Sequence, residues 1–300
     1  MDLFTLAHIS DPHLGPLPRP RVRELATRRA FGFINWHRTR ARIHRPKILN
    51  ELVAAVRDAR PDHIAVTGDL VNIALREEIR RAGQWLETLG PPRQVTVIPG
   101  NHDAYVPGAA RAAREAWKPY MTGDDGSGHL HYPFVRRRDG IALIGTSTAR
   151  ATAPMIATGH MSSRQLDELR NVLAALEREG AFRIVLIHHP PVTGETVWHR
   201  RLIGAGRFRR VIREAGAELI LHGHNHTSTV HEIEGRRGPV PVVGVPSASN
   251  APGGRLHPAA AFNLYRIEGK PGDFKCAMTE FGLVEPGGSV RLIARRQLLR

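Results

Sequence analysis

Cysteine is almost absent from this 300-residue sequence; Cys276 is the single one. No intrachain disulfide can form, so the fold must rest on a packed core, and a reducing compartment is expected. No apolar run approaches the ~18 residues that a membrane-crossing helix needs. Residues 1–8 turn polar too soon for a secretory leader. These absences give the expectation of a cytoplasmic location. Internal repeats, low-complexity tracts and long linkers are lacking too, so residues 1–300 read as one domain. Acidic residues are scarce: 28 Asp and Glu stand against 43 Lys and Arg, a formal net charge of +15. That excess predicts attraction to polyanions such as nucleic acid, anionic lipid or phosphorylated small molecules.

What the chain does have is a series of short apolar runs, each ending in Asp, Asn or His. Residues 3–10 lead into Asp11-Pro12-His13, and residues 63–67 into Gly68-Asp69. Residues 94–98 lead into Pro99-Gly100-Asn101-His102-Asp103, and residues 183–187 into His188-His189. Residues 218–221 lead into His222-Gly223-His224-Asn225-His226. The runs have strand length, and stretches of helical periodicity separate them over 46–59, 75–89, 109–120, 162–179 and 207–215. From residue 228 onward the pattern is strands alone, over 228–233, 240–245, 260–267, 274–281 and 290–294. Strands alternating with helices and then a run of strands predict an α/β fold with two sheets packed together. Ligands bind at the carboxyl ends of strands in such sheets, and all five clusters stand there.

The residue types at those ends are carboxylate, amide and imidazole, with no thiolate. That set suits Mn, Fe or Zn in a reactive centre better than a structural zinc site. In Gly223-His224-Asn225-His226 the two flanking imidazoles fall on one side of an extended segment. Gly68, Gly100 and Gly223 allow sharp turns that aim the next side chain inward. Two ions about 3.5–4 Å apart need a shared carboxylate, and Asp69 is the natural bridge.

With these motifs the chain resembles the calcineurin-like metallophosphoesterase superfamily. The family's pattern stands here as Asp11-Pro12-His13, Gly68-Asp69, Gly100-Asn101-His102-Asp103, His188 and Gly223-His224-Asn225-His226. The resemblance implies a four-layer αββα sandwich of two mixed β-sheets flanked by helices. It implies two transition-metal ions, Mn, Fe or Zn. Asp11, His13 and His226 would hold the first, Asn101, His188 and His224 the second, and Asp69 would bridge them. His102 would bind no metal but donate to a phosphate oxygen or to the leaving group. His188 is preferred to His189 because the family's ligand comes directly after the strand. The implied reaction is attack on phosphorus by a hydroxide bridging the ions. In the Ser/Thr protein phosphatases an aspartate after Gly-Asp pairs with the catalytic histidine, and here Asn72 stands in that region. The motif forms look more like class III cyclic-nucleotide and glycerophosphodiester phosphodiesterases. A small or nucleotide-like phosphodiester is therefore the expected substrate. The alternatives are a membrane-surface hydrolase of a lipid-linked pyrophosphate, similar to the UDP-diacylglucosamine hydrolases, and a nucleic-acid-binding nuclease.

Residues 19–45 form a basic helical insertion. They carry nine arginines: Arg19, Arg21, Arg23, Arg28, Arg29, Arg38, Arg40, Arg42 and Arg45. Helical spacing predicts one helix over 23–45 with Ala26, Ala30, Phe33, Ile34, His37 and Ala41 on its packed stripe, leaving Phe31 and Trp36 as aromatic surface. Because it starts just after His13, the segment is expected to cap the active-site face as a lid. Contact with an anionic membrane surface, which would make the protein peripheral, and plain packing are the other readings. His129, His131, His160, His199, His231 and His257 read as loop or surface histidines. Ser247-Ala248-Ser249-Asn250 follows a strand and is placed to line the pocket, with no partner that would make either serine a nucleophile.

Overall fold

The computed structural model describes residues 3–125, 131–252, 258–285 and 288–299; His129 and His257 lie outside them. Two six-stranded mixed sheets form its centre. In the first, Phe4–Ile9, His63–Val66 and Val95–Val97 run parallel, and Ala261–Lys270, Asp273–Leu283 and Val290–Leu299 extend it antiparallel. In the second, Ile141–Gly145, Phe182–Leu186, Leu219–His222 and Pro239–Gly244 run parallel between the antiparallel edges Phe134–Arg138 and Thr229–Glu234.

The parallel strands are apolar at nearly every position because both their faces are covered. Alternation decides which layer each residue enters. Phe182, Ile184 and Leu186 join the core shared with the first sheet and the helices Pro46–Asp58 and Arg76–Leu89. Val185 and Ile187 point the other way, onto Leu166, Leu169 and Leu173 of the helix Ser163–Arg178 and Phe208 and Ile212 of Ala205–Ala215. Helix, sheet, sheet and helix thus stack as four layers. Ser162 caps its helix, its hydroxyl accepting from the Gln165 N–H at 3.2 Å. Among the described residues no helix is long and apolar enough to cross a membrane.

Two features depart from expectation. The edge strand Phe134–Arg138 was not foreseen, because Val135-Arg136-Arg137-Arg138 reads as a polar stretch. Its charges belong to an edge, where arginine discourages further pairing. Arg136 turns inward and donates to the carbonyls of Thr122, Pro92, Val95 and Pro119. The insertion is also not one helix. It breaks into Val22–Leu25, Arg29–Asn35, a π-helical turn Trp36–Arg40 and Ala41–Ile43. Nor is the expected stripe the buried one: Ala26, Ile34 and His37 are exposed, whereas Trp36 is buried and packs against Gly15. The extra residue in the π turn rotates the face, so Trp36 goes in while Arg40 reaches the strand ends. Arginines hold the segment down. Arg28 donates to Thr152 and stacks over Tyr105, and Arg29 donates to the carbonyls of Ile73 and Ala74.

His63, at the amino end of its strand and away from the metal-bearing edge, sits buried with Nε2 2.7 Å from Thr96 Oγ1. Burial, then Arg138 and Arg136, push its pKa from 6.5 down to about 3. The unfolded chain therefore takes up this proton first on acidification. The stabilising contribution is complete above the ordinary histidine value and is lost between 6.5 and about 3, at roughly 1.4 kcal/mol per pH unit. Urea unfolding across that window is expected to show an acid slope shallower by one proton in His63→Gln than in the parent. Parallel slopes would contradict a neutral buried His63.

Candidate metal centre

Six loops leave the carboxyl ends of the parallel strands and meet at one place. Asp11 and His13 follow Phe4–Ile9, Asp69 follows His63–Val66, and Asn101 and His102 follow Val95–Val97. From the second sheet come His188 after Phe182–Leu186, His224 and His226 after Leu219–His222, and residues 247–250 after Pro239–Gly244. Main-chain hydrogen bonds join the loops within a sheet, Asp11 N–H to Gly68 O at 3.0 Å and Gly223 N–H to His188 O at 3.2 Å. Others cross between sheets: Ala248 N–H donates to Ser10 O at 2.9 Å and His224 N–H to the Asp11 carboxylate at 3.0 Å.

The backbone there is strained. Asp11, His13, Asp69, His224 and His226 all have positive φ, from 39° to 68°. Asp and His enter this region more readily than most residues, but each such residue still costs of order 1 kcal/mol and needs its surroundings to hold it. Asp103 is one such support. Its buried carboxyl group accepts from the N–H groups of Asp69, Leu70, Val71 and Gly100 at 2.8–3.2 Å. The glycines act in two ways. Gly68 takes φ +100° as a turn requires, whereas Gly100 and Gly223 are needed for room. A Cβ on Gly100 would overlap Asp69, and one on Gly223 would overlap Ser10 and Asp11.

Two groups of donor atoms converge on Asp69. Asp11 Oδ1, His13 Nε2 and His226 Nε2 form one: His226 lies 3.1 Å from Asp11 and 3.2 Å from His13, and His13 lies 3.9 Å from both Asp11 and Asp69. In the other, His188 Nε2 lies 3.3 Å from Asn101 Oδ1 and 3.4 Å from Asp69 Oδ2, with His224 beside it. Donors about 2.0–2.2 Å from a common ion stand roughly 3–3.5 Å apart. The pairs His226–Asp11, His226–His13, His188–Asn101 and His188–Asp69 meet that spacing, and the His13 pairs with Asp11 and Asp69 are wider. His224 offers a nitrogen within 4.8 Å of those of His188 and His189. The ring tautomers agree with this use. His13 donates from Nδ1 to Val71 O, His188 from Nδ1 to Thr67 O, and His224 from Nε2 to Arg200 O. That leaves His13 Nε2, His188 Nε2 and His224 Nδ1 as the nitrogens available to the centre, the arrangement of carbonyl-anchored metal histidines. His189 differs. Thr148 Oγ1 approaches its Nδ1 at 2.7 Å and its Nε2 donates to Ala157 O at 3.1 Å, so both nitrogens are engaged.

Electrostatics points the same way. Burial opposes the Asp69 charge, but His188 and His102 hold the carboxyl well below the carboxylate range. Burial likewise opposes a charged His188, and Asp69 outweighs it to push the imidazole up to about 9. The carboxylates thus draw positive charge into the centre. His13 is held well below its ordinary value by burial and Arg40, and His224 by burial and its neighbouring histidines.

His102 stands at the edge of the cluster. Its Nδ1 donates to the main-chain carbonyl of Asn72 at 2.5 Å, and its Nε2 accepts from Arg40 at 2.8 Å. Burial and Arg40 push its pKa down to about 3, so in this arrangement the ring is neutral. The Asn72 amide turns away and donates to Leu14 O at 3.0 Å. Arg40 also donates to His13 Nε2 at 2.9 Å. It reaches the centre from the insertion, which walls a cavity of about 740 Å³ with Asn35, Thr39, Arg40, Arg42, Ile43 and His44. Asp69, Asn101, His102, His224, His226 and Arg200 line the same cavity. Sequence reading placed Arg40 with Arg38 and Arg42 in a basic wall without its reach to His13 and His102, gave Asp103 no role and did not weigh His44. His131 and His231 are exposed, and His160 and His199 half-buried, all outside the cluster.

The sequence model described as calcineurin-like phosphoesterase matches residues 4–228. Similar solved structures include a dimetal phosphatase from Danio rerio, at 14% identity, 97% of this chain, 98% of that chain and a TM-score of 0.60. A purple acid phosphatase from seeds of yellow lupin, Lupinus luteus, aligns at 11% identity over 95% of this chain and 53% of its own, with a TM-score of 0.58. An NAD nucleotidase from Haemophilus influenzae aligns at 14% identity over 98% of this chain and 50% of its own, with a TM-score of 0.50. At these identities the likeness is one of fold. The chain spans about half of the latter two proteins. No curated protein sequence matches it.

The crowding at Gly223 can be tested against a tolerant position. Gly83 lies within the helix Arg76–Leu89, and a methyl there would meet Trp117 at an ordinary 3.6 Å. Gly83→Ala is expected to stabilise by about 0.4–1 kcal/mol, and Gly223→Ala to destabilise by about 1–3 kcal/mol, both read by urea unfolding. Equal effects would mean that the strand-end loops have slack that the geometry does not show.

Proposed function

We infer, for a chain that belongs to the calcineurin-like phosphoesterase family, that it hydrolyses a small or nucleotide-like phosphodiester with the help of two transition-metal ions. The observation that carries this is Asp69, which lies between two sets of donor atoms. Asp11, His13 and His226 would hold one ion, Asn101, His188 and His224 the other, and Asp69 would be shared. The nitrogen and oxygen donors without thiolate suit Mn, Fe or Zn. When bound, the ions would supply Lewis acidity and an activated water.

The chain's own groups do the rest. Arg40 donates to the His13 nitrogen that an ion would take, so with that nitrogen engaged its guanidinium would turn toward other acceptors. The oxygens of an anionic substrate in the cavity are such acceptors, and a guanidinium fork matches phosphoryl geometry. Leaving His102 Nε2 would also free that atom to take a proton from water in the cavity and pass it to the departing alcohol, while the Asn72 carbonyl keeps the ring aimed. Orientation by a carbonyl, with the Asn72 amide engaged elsewhere, supports a diesterase over the protein-phosphatase pattern, in which a carboxylate holds this histidine. Residues 1–300 are read as one catalytic unit because both sheets supply the centre. A second reading, a hydrolase of lipid-linked pyrophosphate working at an anionic membrane, rests on Val22, Phe31 and Ile34, which the insertion leaves 88%, 65% and 48% exposed among its arginines.

The reading is tested by assaying the Mn-loaded protein on nitrophenyl mono- and diesters, cyclic nucleotides, glycerophosphodiesters and lipid pyrophosphates in anionic vesicles. Diesters are expected to give a kcat/KM at least ~10-fold above monoesters, and Asp69→Asn to remove the activity while the fold persists. A preference for monoesters would overturn the diesterase reading. Retained turnover in Asp69→Asn at matched metal content would overturn the shared carboxylate.

The insertion as a basic wall makes a separate prediction. Neutralising Arg38, Arg40 and Arg42 together is expected to raise KM for anionic substrates, more at 10 mM than at 500 mM salt because screening weakens the wall's pull. An unchanged KM with lowered stability would leave the segment as packing only.

A further inference from the structure

His44 lies outside every strand-end motif, at the close of the insertion. Two sets of contacts fix it there. Its own N–H donates to Arg40 O at 2.8 Å. The loop after Pro239–Gly244 grips it from the other side, through an antiparallel bridge between His44 and Asn250. Arg45 N–H donates to Ser249 O at 2.9 Å, and Ala251 N–H to Ile43 O at 2.8 Å. The clamp buries the His44 ring, 4.5 Å from the centre of the His13 ring and 5.7 Å from that of His226. One nitrogen from each of the three rings lies within 4.8 Å of the other two.

A short run of hydroxyls holds the ring. Ser247 Oγ lies 2.6 Å from Asp11 O, and since a carbonyl has no proton to give, Ser247 is the donor. Ser249 Oγ lies 3.3 Å from Ser247 Oγ and 2.9 Å from His44 Nδ1. With Ser249 donating to Ser247, its oxygen accepts from His44 Nδ1 and fixes the ring proton there. Nδ1 is also the nitrogen that main-chain carbonyls engage in His13 and His188.

We propose that His44 is a further ligand of the first ion, supplied by the insertion and aimed by Ser249. The proposal rests on the two-ion reading of the centre. It gives the first ion three imidazoles, His13, His44 and His226, beside Asp11 and Asp69. The second ion has two imidazoles and the Asn101 amide. The two seats are then unequal, and the nitrogen-richer first seat favours Zn or Fe over Mn. It also gives the Ser247-Ala248-Ser249-Asn250 turn a task that needs no nucleophile.

The test is titration of the metal-free protein with Co²⁺, followed by calorimetry and by the visible absorption of the bound cobalt. The parent is expected to take two equivalents. Ser249→Ala, which keeps the imidazole but frees its tautomer, is expected to weaken one equivalent about 10–100-fold. His44→Ala is expected to weaken the same equivalent more and to change its cobalt absorption. His13→Ala serves as the control. If His13→Ala loses an equivalent while His44→Ala and Ser249→Ala match the parent in affinity and spectrum, His44 is not a ligand. If His13→Ala also keeps both equivalents, the two-ion reading itself falls.

Discussion

Everything at the centre depends on five side chains held on left-handed backbone. Asp11, His13, Asp69, His224 and His226 leave their strands at positive φ, the geometry that turns a side chain across a strand's end instead of along it. Non-glycine residues in such regions cost about 1–3 kcal/mol each. Together they approach the net stability of an ordinary domain, about 5–15 kcal/mol. The surrounding structure must offset that cost, and its parts are identifiable. Asp103 collects four N–H groups from two loops. Gly100 and Gly223 keep atoms out of positions that Asp69, Ser10 and Asp11 already fill.

The two sheets matter for the same reason. Three loops come from one and three from the other, and the shared core keeps their strand ends in register. Asp11 shows the coupling most clearly. Its carboxylate accepts from the His224 main chain and meets the His226 ring, although both histidines belong to the opposite sheet. A shift between the sheets would pull the two donor groups apart. Helices on both outer faces cover the parallel strands and resist that shift.

Much of this was legible in the sequence because it is local. A strand followed by Gly and an Asp, Asn or His lies within a few residues, so the five strand-end clusters can be read from position, while the roles proposed for their seven ligands come from the resemblance to a known family. What escaped detection depends on contacts across the chain. The strand Phe134–Arg138 looked too charged until Arg136 was seen to satisfy carbonyls from distant turns. The insertion kept a helical pattern in sequence, but burial of Trp36 against Gly15 and the π turn at Trp36–Arg40 changed which face points inward. His44 is brought to His13 by a clamp from residues 249–251, some 200 positions away, and no spacing rule reports that.

The central claim is that Asp69 is shared by two ions. Crystals grown with Mn²⁺ and measured for anomalous scattering test it most directly. The account predicts two peaks about 3.5–4 Å apart, one among Asp11, His13 and His226, the other among Asn101, His188 and His224, with Asp69 touching both. A single peak, or two peaks of which Asp69 touches only one, would contradict it.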